Sequence, residues 1–123
     1  MKFVVDRSKW RCGSDSFNKV GKGMTSLLNS DGFMCCLGHC ALQVGATASQ
    51  IKNNGMPRNT DVVLPVLSKK HKVYNFIIDT RLSEAAAKIN DDVSITTNER
   101  ERKLRSLFSK FKHKLVFKGK VVK

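Results

Sequence analysis

A chain of 123 residues builds one domain readily and two independent cores only with difficulty, and at this size neither a disulfide nor a metal is required for folding. An apolar share of 41% is that of a folded protein and excludes a disordered tail. With 23 Lys and Arg against 10 Asp and Glu, the net charge of +13 favours anionic partners and excludes a preference for cationic ones.

The apolar start Met1-Lys2-Phe3-Val4-Val5 runs at once into Asp6, Arg7 and Lys9, too short for a secretory signal. The least polar stretch, Phe33 to Ala46, is interrupted by His39, Gln43 and two glycines and falls short of a membrane span. The expected location is therefore the cytoplasm, with no membrane partner. Four cysteines (Cys12, Cys35, Cys36 and Cys40) are expected to remain reduced thiols in that compartment.

In chain order, Lys2 to Val5 reads as a short strand, followed by a loop-like Gly-, Ser- and Lys-rich stretch over 13–23. Thr25 to Cys36 has the form of a hairpin. Ser26–Leu28 and Phe33–Cys35 are its extended arms, around the Asp31-Gly32 turn signal. Leu37, Cys40, Ala41 and Val44 recur at helical spacing, so a helix is expected from Cys36 to Val44, stopped by Gly45. Thr47 to Gln50 follows a capping-box pattern and opens a short helix carrying Ile51, which should end near Asn54-Gly55.

Val62 to Leu67 is apolar and β-branched, but Pro65 makes it an edge strand or an irregular extended segment. Val73 to Ile78 reads as a buried strand. Ser83 to Ile89 suits a helix with Leu82, Ala85, Ala86 and Ile89 inward, stopped at Asn90-Asp91-Asp92. Thr96, with Glu99 three residues on, caps a last helix whose stripe is Leu104, Leu107, Phe108 and Phe111. Leu115-Val116-Phe117 is a closing strand. The expected fold is one α+β domain over 1–123: a short, mainly antiparallel sheet covered by two or three helices, with a flexible loop around 13–23.

Several segments together resemble a family of small uncharacterised proteins of tailed bacteriophages. They are Asp6-Arg7-Ser8-Lys9-Trp10-Arg11-Cys12-Gly13, Ser26-Leu27-Leu28 and Met34-Cys35-Cys36-Leu37-Gly38. Further on come Asn90-Asp91, Glu99-Arg100-Glu101, Leu107-Phe108 and Leu115-Val116-Phe117. The resemblance spans most of the chain and implies a phage-encoded accessory protein in the host cytoplasm, without implying an activity or a fold. Members of that family carry aromatic or aliphatic residues after Cys-Cys-Leu-Gly, where this chain has His39 and Cys40. A metal site built on those two would be peculiar to this protein.

The residues allow three kinds of chemistry, none with a complete motif. Cys35, Cys36, His39 and Cys40 contain zinc-ligand types, but helical spacing sets Cys36/Cys40 and Cys35/His39 about 100° apart, and Cys12 or His71, which could add a ligand from elsewhere, has no spacing in its support. Cys36 at a helix start would be an activated thiol if His39, His71 or His113 served as its base. Asp91, Asp92, Glu99 and Glu101 could group around magnesium for a nuclease, although Glu99 already has a cap role and Asp91 and Asp92 a turn role in the pattern. Gly21-Lys22-Gly23 lacks the spacing of a phosphate loop. No catalytic set, metal or cofactor is assigned.

The charge distribution points elsewhere. Arg100 to Lys123 holds ten basic residues and one acid, leaving +4 for the other 99 positions. The residues expected to contact a polyanion such as DNA or RNA are Arg100, Lys103, Arg105, Lys110, Lys112, Lys114, Lys118 and Lys120. Trp10 and Arg11 are candidates for contacting a protein partner such as a host complex. The expected function is therefore a non-enzymatic accessory protein that binds a host or phage macromolecule, in host takeover or anti-defence. The competing classes are an enzyme (a Cys-dependent hydrolase or a metal-dependent nuclease) and a structural or assembly protein.

Overall fold

The computed structural model describes residues 2–13, 25–43, 45, 47–53 and 80–120. Its frame is set by the first and last strands. In β1 (Lys2–Asp6) and β2 (Lys114–Lys118) exposed and buried positions alternate, as the two-residue period of a strand requires. Phe3, Val5, Leu115 and Phe117 point into the core, each burial worth roughly 1.5–3 kcal/mol. Lys2, Val4 and Asp6 lie on the opposite face beside Lys114, Val116 and Lys118.

The two strands pair in parallel, Lys2 opposite Lys114 through Asp6 opposite Lys118. This corrects the expected antiparallel sheet: the described residues form a small mixed α/β domain with a two-stranded parallel sheet. A parallel pair needs a crossover rather than a tight turn, and here that crossover is the rest of the domain.

The expected hairpin shows why the direction was misread. The chain does reverse at 29–33: Asn29 N donates to Phe33 O at 2.9 Å, and Gly32 takes φ 87°. The Asn29 side chain accepts from Asp31 N and Phe33 N, both at 2.9 Å. Cys35 N reaches back to Ser26 O at 3.1 Å. The arms, however, form bridges to other parts of the chain, Met34 with Trp10 and Leu28 with Lys52, both parallel.

Helix α1 (Cys36–Gln43) is the central element, buried from Cys36 through Ala41 and packed on β1 and on α3 (Thr80–Asn90). It approaches the 26–28 arm closely enough that a Cβ at Gly38 would stand 1.8 Å from Leu27 O, so only glycine fits there. Gly45 ends the helix at φ 103°, as expected. A single helical turn, α2 (Ala48–Ile51), follows and buries Ile51, and Asn53 then turns out at φ 61°.

In α3, Leu82, Ser83, Ala86 and Asn90 are buried, with Ala85 and Ile89 half-buried. Helix α4 (Thr97–Lys110) begins as the sequence indicates: Thr96 Oγ1 accepts from Glu99 N at 3.1 Å. The reciprocal half of the box is replaced by a contact between the two side chains, at 3.3 Å. Leu104 and Phe108 enter the core, where Phe108 meets Phe3 edge to face at 6.2 Å; Leu107 and Phe111 are half-buried. Helix α4 packs on β2 and α3. Among the described residues no helix is long and apolar enough to cross a membrane. The expected loop beyond Gly13 and the segments Val62–Leu67 and Val73–Ile78 lie outside the described residues.

Candidate functional site

Trp10 and Arg11, the candidates for a protein contact, are inside the molecule. Trp10 is 1% exposed, tilts against Phe117 at 4.8 Å and donates its indole N–H to Asn90 Oδ1 at 2.7 Å. Arg11 lies with its guanidinium 3.4 Å from the Phe33 ring centroid and donates to Trp10 O at 3.0 Å. Its burial lowers the guanidinium pKa. A large side chain with one polar atom is well accommodated in a core that supplies a partner for that atom, and Asn90 does so.

Asn90 is the residue whose role sequence reasoning missed: it figures there as a helix stop and as part of the Asn90-Asp91 segment of the resemblance, not as a buried partner. Its Oδ1 also accepts Cys36 N at 3.1 Å, and its Nδ2 donates to Arg11 O at 3.0 Å and Asp91 Oδ1 at 2.9 Å. Asp91 in turn accepts Gly13 N at 2.7 Å and Thr25 N at 3.2 Å. One Asn-Asp pair thus ties together the tail of β1, the 25–35 turn and the start of α1. No periodicity signals a buried amide. The only hint in the sequence is a polar residue where the inward stripe of α3 would continue.

The thiol and carboxylate chemistries lose their geometry. Cys36 stands at the start of α1 as anticipated, but full burial pushes its pKa well up rather than down, and Cys40 shares that fate. Burial raises Cys12 to about 12. His39 donates its Nδ1–H to Cys35 O, 3.0 Å away, and its burial lowers its pKa. Among the described residues no three His, Cys, Asp or Glu side chains group around a common metal position.

Each described carboxylate named above is engaged separately. Asp92 accepts both Ser94 N and Ser94 Oγ, which lowers its pKa. Glu101, buried, takes both arms of the Arg7 fork, Nε at 2.8 Å and a terminal nitrogen at 2.7 Å. Those hydrogen bonds raise the Arg7 pKa.

The eight expected polyanion contacts divide into four groups. Arg100 leaves the set: it is 1% exposed and donates to Asp92 O and Ile95 O, pinning the turn before α4. Lys103 and Lys110 are exposed on α4 together with Arg102, which the sequence reading left out of the set. Arg105 is on the same exposed arc, 3.6 Å from Glu101. Lys114 and Lys118 project from the outer face of the sheet, next to Lys2, while Leu115 and Phe117 occupy the face that packs towards α4. Lys112, at φ 64°, and Lys120 flank the strand and are exposed.

The cations of α4 border a shallow groove of about 240 Å³ between α3 and α4, lined by Ile89, Arg102, Lys103, Ser106, Leu107 and Lys110. Three cations and a hydroxyl surround an aliphatic floor, a chemistry that suits an anionic group attached to an apolar or sugar-like body. Comparison with protein-family models, with curated proteins and with solved structures returned no match.

Proposed function

We propose that this chain is a small basic accessory protein, phage-encoded, that acts without catalysis by binding nucleic acid, alone or within a nucleoprotein complex, through the outer arc of α4. The observation that supports this reading is the arc itself: Arg102, Lys103, Arg105 and Lys110 all face water on one helix, three of them around a single groove. Phosphate contacts need only accessible cations, and such a surface draws polyanions over long range. The resemblance to small tailed-phage proteins supports the phage origin, and the host cytoplasm is the setting it implies. The raised thiol pKa values and the dispersed carboxylates give an enzyme reading nothing comparable.

Anisotropy titration of a fluorescent 20-base-pair duplex between 50 and 200 mM salt tests the proposal. Each phosphate contact steepens the slope of log K against log salt by roughly −0.9, so Lys103 and Lys110 alone predict a slope of about −1.8 or steeper. Arg102→Glu combined with Lys110→Glu should abolish binding, whereas Lys2→Glu, on the sheet face, should leave most of it. Absence of binding at 50 mM salt would overturn the proposal.

A further inference from the structure

We infer that α4 is a reading helix that lies in the major groove of duplex DNA and distinguishes base pairs through Arg102 and Arg105. The inference rests on the nucleic-acid reading above and narrows it to one form of nucleic acid and one mode of contact.

At about 100° per residue, the buried side of α4 centres on Leu104 and Phe108. Along one flank of the exposed surface, beside the edge that carries Glu101, Asn98, Arg102, Arg105 and Ser109 recur at steps of four, three and four and so form one row along the helix. All four are exposed. These are side chains whose donors and acceptors match base edges: Arg to guanine, Asn to adenine, Ser to either. Lys103 and Lys110 form a second row beside it, on the flank towards α3, where compact charges suit phosphate.

The row is also uncommitted. Among the described residues, Arg7, Arg11 and Arg100 are all engaged within the fold, by Glu101, by Phe33 and Trp10 O, and by Asp92 O respectively. No hydrogen bond or ion pair within the described structure holds the side chains of Asn98, Arg102 or Ser109. Arg105 makes only a loose contact at 3.6 Å with a carboxylate whose two oxygens Arg7 already takes at 2.7 and 2.8 Å, so its fork can turn outward. Two acids border the row: Glu99, half-buried and engaged by the Thr96 hydroxyl, and Glu101, buried and held by the Arg7 fork.

Dimensions and composition favour duplex DNA. A helix with its side chains is about 10–12 Å across and enters a major groove about 12 Å wide. The 14 residues of α4 span about 21 Å, enough to cross it. The major groove of duplex RNA is too deep and narrow for side chains to read. Single strands are gripped by stacking on exposed aromatics, and the one exposed large hydrophobic residue among those described is Val93, at 48%.

The test is selection from a pool of random 20-base-pair duplexes at about 100 mM salt, followed by titration of the enriched site, a scrambled duplex, and duplex RNA of the same sequence. Enrichment of a short motif containing G·C pairs, with weaker binding to scrambled DNA and to RNA, is the expected result. On the enriched site, Arg102→Ala and Arg105→Ala should each lose roughly 5- to 150-fold and relax preference at one base pair. Lys103→Ala and Lys110→Ala should weaken every duplex equally and lower the salt slope by about 0.9 each. Circular dichroism melting of each variant confirms that it is folded, since all four positions are exposed. Binding without enrichment overturns this inference and spares the general nucleic-acid reading, whereas no binding to any duplex at 50 mM salt overturns both.

Discussion

At the scale of single residues, the interior is held by polar side chains with several partners each. Asn90 serves Trp10, Arg11, Cys36 and Asp91 at once. Asn90→Ala would strand the Trp10 indole N–H and the Cys36 amide, each costing about 1–3 kcal/mol when buried without a partner. Urea denaturation should therefore show a loss of about 2–6 kcal/mol, and a loss under 1 kcal/mol would mean that the network carries little of the stability. His39 makes stability depend on pH. Burial holds its folded pKa below 6.5, so between that value and 6.5 the unfolded chain binds more protons. Stability then falls as pH drops through 6.5 and levels off below the folded pKa. His113, also lowered by burial, acts in the same direction. Comparing urea midpoints at pH 7.5 and pH 5.5 for the parent and His39→Gln should show a shallower fall in the variant. Equal falls would remove His39 as a contributor. Cys36 and Cys40, with raised pKa values and no exposure, should resist alkylation in the folded protein and react once it is unfolded.

At the scale of elements, what was legible was local. The start of α4 could be read because Thr96 and Glu99 form a cap within four residues, and Thr96→Ala should lower stability by about 1 kcal/mol in the same urea assay. The end of α1 was equally legible from Gly45. The sheet direction was not, because β1 and β2 pair residues 112 positions apart, Lys2 with Lys114, and no turn motif announces such a pairing. The Asp31-Gly32 signal gave a true reversal and a false ladder, since the arms found Trp10 and Lys52 instead of each other. The site was half legible for a related reason: charge density marked α4, but only the packing of Leu104 and Phe108 separates exposed Arg102 from buried Arg100. Gln43 adds a device that spacing cannot show. Its side-chain amide accepts from Val4 N and donates to Val4 O, occupying the edge of β1 away from β2 as a neighbouring strand would.

At the scale of the whole molecule, the exposed cations among the described residues include two groups, on the arc of α4 and on the outer row of the sheet. Lys2 and Lys114 stand directly opposite each other in that row, an arrangement that like charges disfavour. Replacing Lys114 with Glu should therefore raise the melting temperature slightly while leaving duplex binding nearly intact. A large loss of binding would instead move the interface towards the sheet. The pairing of β1 with β2 also has a temporal side. On a translating ribosome, Phe3 and Val5 emerge early and must wait, unsheltered, until 114–118 leave the exit tunnel. The domain can therefore complete its fold only once those residues have emerged, and a nascent chain stalled before Lys114 should remain open to protease and to chaperones.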